Sequence, residues 1–175
     1  AYLQLGVVLF KEEDLSEAKF YLDRAYELLP SYTGYPSPAL VLSQIYEKEG
    51  NREAHLRQLE ILLQNLQHDY DSAMILAVAA LEDGDLERTD YYIDRAIQVD
   101  PYRISVHELK ARYAERIDDS SLAVTEYEVL LKLDINDPVE ARTKLAEAYL
   151  KNGQILEAKQ NVLSALEIAP SYQPA

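Results

Sequence analysis

Three histidines, 31 acidic side chains and no cysteine are the chemical resources of this 175-residue chain. Without a thiol there is no disulfide, no thiolate metal site and no cysteine nucleophile. His55 and His68 lie 13 residues apart, a spacing that does not put two ligands on one helical face. His107-Glu108 begins like the zinc-helix pattern H-E-x-x-H, but the second histidine would fall on Ala111, so the motif fails. Carboxylates gather in Glu12-Glu13-Asp14, Glu82-Asp83-Gly84-Asp85 and Asp118-Asp119. Each group falls between two helical runs, where acids cap the following helix and meet the positive end of its dipole. The stretch EDGDLE lacks the full calcium-loop pattern and its distal glutamate. The glycines are single and lie at turns, so none forms a phosphate cradle. These residues predict no catalytic group, no cofactor and no metal.

The formal charge is −14, from 31 acidic and 17 basic residues. Such a surface repels phosphate backbones and anionic membranes, and it favours basic partners. With 48% apolar and 27% charged residues, the chain is expected to fold. No stretch approaches the roughly 18 apolar residues of a membrane helix. Ala1 to Phe10 carry no basic leader and open directly on an apolar pattern. The expectation is an excised segment of a longer protein, with no direct membrane insertion and no compartment signal of its own.

The elements that position these side chains come in repeats. Leu15 to Pro30 (LSEAKFYLDRAYELLP), Leu86 to Pro101 (LERTDYYIDRAIQVDP) and Ile155 to Pro170 (ILEAKQNVLSALEIAP) share one length. Each has an alanine, Ala25, Ala96 or Ala165, five residues before the proline. Pro30 to Pro101 is 71 residues and Pro101 to Pro170 is 69, each about two 34-residue periods. Degenerate units fill the gaps, IYEKEGNREAHLRQLEILL in one and ARYAERIDDSSLAVTEYEVLL in the other. The result is five units, at about 1–32, 36–69, 70–103, 104–137 and 138–172, forming a single array over 1–175.

Within each unit two apolar-periodic helices flank a short break. Gly50, Gly84 and Gly153 stand where a helix ends on a left-handed cap. The fourth unit has Asp118-Asp119-Ser120 there, with Ser120 read as the N-cap. Ser37-Pro38 and Asp137-Pro138 read as an N-cap followed by proline in the first turn. The pattern predicts ten helices, near 2–12, 15–29, 38–49, 52–66, 71–83, 86–99, 104–117, 120–133, 138–152 and 155–168, and no strand.

These features resemble the tetratricopeptide-repeat (TPR) family, whose first helix reads roughly W-x2-L-G-x2-Y and whose second carries A-x3-F before a proline. Tyr2, Leu5, Gly6 and Leu9, then Ala18, Leu22, Ala25 and Pro30, fit that frame in the first unit. Leu145, Ala146, Tyr149, Gly153, Ala158, Val162, Ala165 and Pro170 fit it in the fifth. The second and fourth units depart, with His55 in place of alanine and Asp118 in place of glycine. The resemblance implies an all-α, right-handed superhelical solenoid of five hairpins. Its concave groove would be lined by the first helix of each hairpin.

Applied to this chain, the family frame puts Met74, Val78 and Leu81 of the apolar run Ala73 to Leu81 in the groove, partly exposed. Leu3, Val7, Phe10 and Leu40 would share its apolar half, and Glu108 and Arg112 its charged half. An apolar groove suits an amphipathic helix or a peptide with aliphatic anchors. The alternative is that the run is buried within the stack. Some family members clamp a C-terminal carboxylate with lysine and asparagine. Here those places hold Leu3, Val7, Val41, Asp71 and Ile75, and none can donate to a carboxylate.

The expected function is therefore a protein-interaction module, a scaffold or adaptor, rather than an enzyme. The partner is a protein or peptide and not nucleic acid. The alternative is a structural spacer or self-assembly segment attached to an enzyme or a membrane-associated domain. The last helix leaves Val162, Leu163, Leu166 and Ile168 uncovered by any polar capping helix. Homo-oligomers through such uncapped ends are accordingly part of the expectation.

Overall fold

The computed structural model describes residues 1–66, 68–133 and 135–171. Among them are ten α-helices and no strand. They are α1 (Tyr2–Lys11), α2 (Leu15–Leu28), α3 (Pro38–Lys48), α4 (Arg52–Asn65), α5 (Tyr70–Asp83), α6 (Leu86–Val99), α7 (Ile104–Arg116), α8 (Ser120–Lys132), α9 (Pro138–Lys151) and α10 (Ile155–Ile168). No helix end departs from its expected position by more than one residue. None of the helices is long and apolar enough to cross a membrane.

The five hairpin turns share one construction. A left-handed residue follows each first helix: Glu13 (φ 64°), Gly50 (69°), Gly84 (75°), Asp118 (57°) and Gly153 (77°). The next residue's N–H returns to a carbonyl five residues back, as in Asn51 N to Tyr46 O at 2.9 Å and Gln154 N to Tyr149 O at 2.8 Å. In four turns that same residue caps the second helix. The carboxylates of Asp14, Asp85 and Asp119 and the amide oxygen of Asn51 each accept from a backbone N–H of the first turn, at 2.9–3.1 Å. The N-cap of α8 is thus Asp119 and not Ser120, which is the first helical residue. Asp118 takes the left-handed place that glycine fills elsewhere, and this sets the carboxylate of Asp119 2.9 Å from Leu122 N. Ser37 and Asp137 cap α3 and α9 ahead of their prolines, as expected.

The chain divides into two compact units, Ala1–Leu76 and Ala77–Ala175, with the boundary inside α5. In the first unit α1 packs on α2, α2 on α3 and α3 on α4, and α1 also touches α3. The core there is Ala18, Leu22, Val41, Leu42 and Ile45. Helices approach closely where small residues face one another. Gly6 shows the limit, because a Cβ there would stand 2.7 Å from Leu22 Cγ.

In the second unit α6 packs on α7, α7 on α8, α8 on α9 and α9 on α10. Its core joins Ala111, Ala114, Tyr127, Leu130, Leu145 and Tyr149. Two buried tyrosines carry polar ties outward. The Tyr127 hydroxyl donates to Glu115 at 2.8 Å, and the Tyr149 hydroxyl donates to Glu128. Burial, reinforced by the bond to Glu115, pushes the Tyr127 phenol well above its usual range. The bond to Glu128, with burial behind it, pushes Tyr149 up to about 12.

Candidate functional site

In the first unit, α3, α4, the 34–37 segment and the first turns of α5 enclose a concavity of about 730 Å³. Volumes of this order hold peptide side chains or small ligands. Its apolar lining comes from Leu40 of α3, Leu59 and Leu62 of α4, Leu66, and Ile75 of α5. Leu59 and Leu62 are nearly closed off, at 3% and 2% exposed, whereas Ile75 is 43% exposed and forms an open wall.

The polar lining is acidic. Glu47, Asp69 and Asp71 line the concavity, and no lysine or arginine does so among its described residues. Asp69 is fixed by Ser72, whose backbone N–H and hydroxyl donate to it at 3.2 Å and 2.7 Å. His55 is held by the Ser43 carbonyl at 2.9 Å from Nδ1. A carbonyl can only accept, so Nδ1 carries a proton and donates it there. The site offers aliphatic surface beside three carboxylates, and so it can hold an apolar side chain next to a cation.

Of the residues the sequence places in a groove, Leu40 lines this concavity. Leu3, Val7 and Phe10 are half-buried and pack against the core of the first unit. The Lys48 ammonium lies 4.9 Å from the Phe10 ring centroid. Met74 and Val78 are half-buried on α5. Leu81 is only 8% exposed, not the partly open side chain expected. It lies in a second concavity, of about 410 Å³, with Glu82, Arg112, Glu115 and Arg116. Arg112 thus meets Leu81 there, while Glu108 is simply exposed on α7. The contribution of α4 to the first concavity has no sequence signal, because its lining leucines read as ordinary core positions.

His107, the start of the failed zinc pattern, is buried. Its Nδ1 lies 2.7 Å from Glu126 Oε2 and its Nε2 lies 2.9 Å from the Pro101 carbonyl. Lys110 Nζ stands 3.8 Å from Glu126 Oε1. Among the described residues no group of three or more histidines and carboxylates is arranged to hold a metal ion.

The model of the tetratricopeptide repeat matches residues 1–32 and 139–172. MamA from AMB-1 superposes with a TM-score of 0.71 at 18% identity, covering 98% of this chain and 92% of that one. YrrB, described as a TPR protein with an unusual peptide-binding site, gives 0.69 at 15% identity, over 98% and 86%. TTC0263, a thermophilic TPR protein of Thermus thermophilus, gives 0.51 at 24% identity, over 97% and 91%. No curated protein sequence matches the chain. The first and last hairpins match the tetratricopeptide repeat, and the structural likeness carries an all-α, helical-repeat fold through the rest of the chain. Stacked helical repeats of this kind form extended surfaces of the sort that bind other proteins.

Proposed function

We propose that the chain is a scaffold or adaptor that holds a partner peptide in the concavity between α3, α4 and the start of α5. The peptide carries an aliphatic anchor beside a lysine or arginine. The carrying observation is the pairing, in one concavity of about 730 Å³, of an aliphatic wall with Glu47, Asp69 and Asp71 and no lysine or arginine among its described lining. The anchor removes apolar surface from water, and the cation meets carboxylates partly shielded from solvent. The net charge of −14 supports the same preference by steering basic segments toward the protein. YrrB, which shares the fold, is described as having a peptide-binding site. Met74, on α5 of the same unit, is a candidate for contact with a longer ligand. Catalysis has no part in this reading, which rests on shape and charge alone.

The test is fluorescence anisotropy with labelled peptides that vary the anchor and the charge independently. Peptides with both leucine and lysine or arginine should bind. Replacing the cation by glutamate, or the leucine by serine, should each weaken binding at least about tenfold. Equal binding of acidic and basic peptides would sink the proposal.

A further inference from the structure

Two arginines of α7 stand apart from the rest. Of the nine arginines in the chain, seven have at least one partner, as Arg103 has in Asp100 at 3.2 Å and Arg57 in Glu53 at 3.6 Å. Arg112 and Arg116 have no hydrogen bond, ion pair or ring contact among the described residues, in a chain with 31 acidic side chains. Both are exposed, and both line the concavity of about 410 Å³ in the second unit.

The register set by the shared turn explains why each is unpaired. Two residues before the left-handed residue, Lys11, Lys48 and Lys151 hold the place of Arg116 in α1, α3 and α9, where a base meets the negative end of the helix dipole. Lys48 also reaches Glu13 at 3.9 Å, and Lys151 reaches Asp118 at 3.7 Å. In both cases the partner is the left-handed residue of the preceding hairpin. For α7 that residue is Gly84, so Arg116 finds no carboxylate there. The place of Arg112 is held by Val7, Gln44, Val78 and Glu147 in the other hairpins, so only α7 has a base at both places. Glu115 lies three residues from Arg112, but its Oε1 accepts from the Tyr127 hydroxyl at 2.8 Å and faces Lys144 Nζ at 3.9 Å. It is thereby drawn toward α8 and α9. Like charges four residues apart on a helix repel, and an anion held between them removes that cost.

We infer that this concavity is a subsite for the carboxylate of an aspartate or glutamate side chain of a partner protein, held between the guanidiniums of Arg112 and Arg116. Arginine forks match carboxylate oxygens, and such charge-assisted hydrogen bonds are of the stronger kind. Leu81 gives apolar surface to the methylene groups of the incoming side chain. Glu82 and Glu115 share the space, which favours a single negative charge over the nearly double charge of a phosphate. The net charge of −14 does not cancel the attraction, because exposed charges beyond about 8 Å are largely screened at physiological salt. The subsite lies wholly in the second unit and stands independently of the concavity in the first.

The test is an NMR titration of the 175-residue chain at physiological salt with the capped pentapeptide Ac-Ala-Ala-Glu-Ala-Ala-NH2. This probe has neither leucine nor cation and so offers the first unit's concavity nothing. The Nε–Hε signals of Arg112 and Arg116, each assigned by its loss in its own variant, should shift and saturate, while those of Arg57 and Arg103 stay in place. The same peptide with glutamine for glutamate should bind at least about tenfold more weakly. Arg112→Gln and Arg116→Gln change exposed, unpaired side chains, so each should keep its melting temperature and weaken binding about tenfold. Ile75→Glu, in the other concavity, should leave the titration unchanged. Still signals at Arg112 and Arg116, equal shifts with the glutamine peptide, or uniform movement of all arginine signals overturn the inference. Tighter binding of the phosphoserine counterpart overturns it too, in favour of a phosphate site.

Discussion

His107 and Glu126 are 19 residues apart in sequence, and their side chains meet at 2.7 Å in a buried contact between α7 and α8. The Pro101 carbonyl can only accept, so Nε2 of His107 carries a hydrogen, and one more proton lies between Nδ1 and the Glu126 carboxyl. Removing Glu126 strands Nδ1 of His107 away from water, and removing His107 leaves the buried Glu126 carboxylate only Lys110 at 3.8 Å. His107→Leu and Glu126→Leu should each lower unfolding free energy by roughly 3 kcal/mol. The double variant should lose less than the sum of the two, as read by urea denaturation of all four proteins. Additive losses would mean the pair is not coupled.

Tyr149 gives an alkaline signature. Its folded phenol titrates near 12, above the ordinary value of 10. The protonated form is therefore favoured by folding. That stability is complete below about pH 10 and is lost as pH rises from 10 toward 12, by up to roughly 1.4 kcal/mol per unit. Tyr149→Phe should flatten this part of the stability curve. Melting temperatures from pH 9 to 12 check the slope, and an unchanged slope would refute the assignment.

The peptide concavity predicts a separation of binding from stability. Ile75 is 43% exposed, so Ile75→Glu should weaken a basic, leucine-anchored peptide at its aliphatic wall with little change in melting temperature. Leu62, at 2% exposed, is different: Leu62→Ala should lower stability by about 2–5 kcal/mol. Titrations and thermal melts on both variants distinguish the roles. Full binding by Ile75→Glu would move the site elsewhere.

The turns predict opposite effects of one chemical change. Gly84 has φ 75° and nothing within 4 Å of where an added methyl would stand, so Gly84→Ala should cost about 1–2 kcal/mol from backbone conformation alone. Asp118 holds φ 57° with a side chain, so Asp118→Gly should be neutral or gain up to about 1 kcal/mol. Denaturant midpoints decide the signs.

The sequence carried the helices because their punctuation is local. Gly50, Gly84 and Gly153 mark left-handed caps, and Ser37-Pro38 and Asp137-Pro138 mark starts, whatever lies around them. Asp118 was legible in that role only by its alignment with those glycines, and Glu13 was not legible, since non-glycine residues enter that region only when the surrounding turn holds them there. The Asp119 cap was missed as well. The candidate site was legible at Leu40 and, through the family's clamp places, at Asp71 and Ile75. Periodicity tells which face of a helix is apolar, but not that α4 leucines and the 34–37 segment open onto a common space. The burial of Leu81 was not legible either: it shares a concavity with Arg112, Glu115 and Arg116, about one repeat away in sequence.

Within each unit the helices pack almost entirely on their neighbours in sequence; the one described exception is α1 on α3. Loops closed by such contacts are short, and little chain entropy is lost before packing repays it. Folding should accordingly be fast for a chain of this size. The same locality loosens the all-or-none character of unfolding, since a hairpin can open by giving up contacts with one neighbour or two. Amide exchange would then yield a range of opening free energies along the chain, slowest around the buried Leu42 and Tyr127.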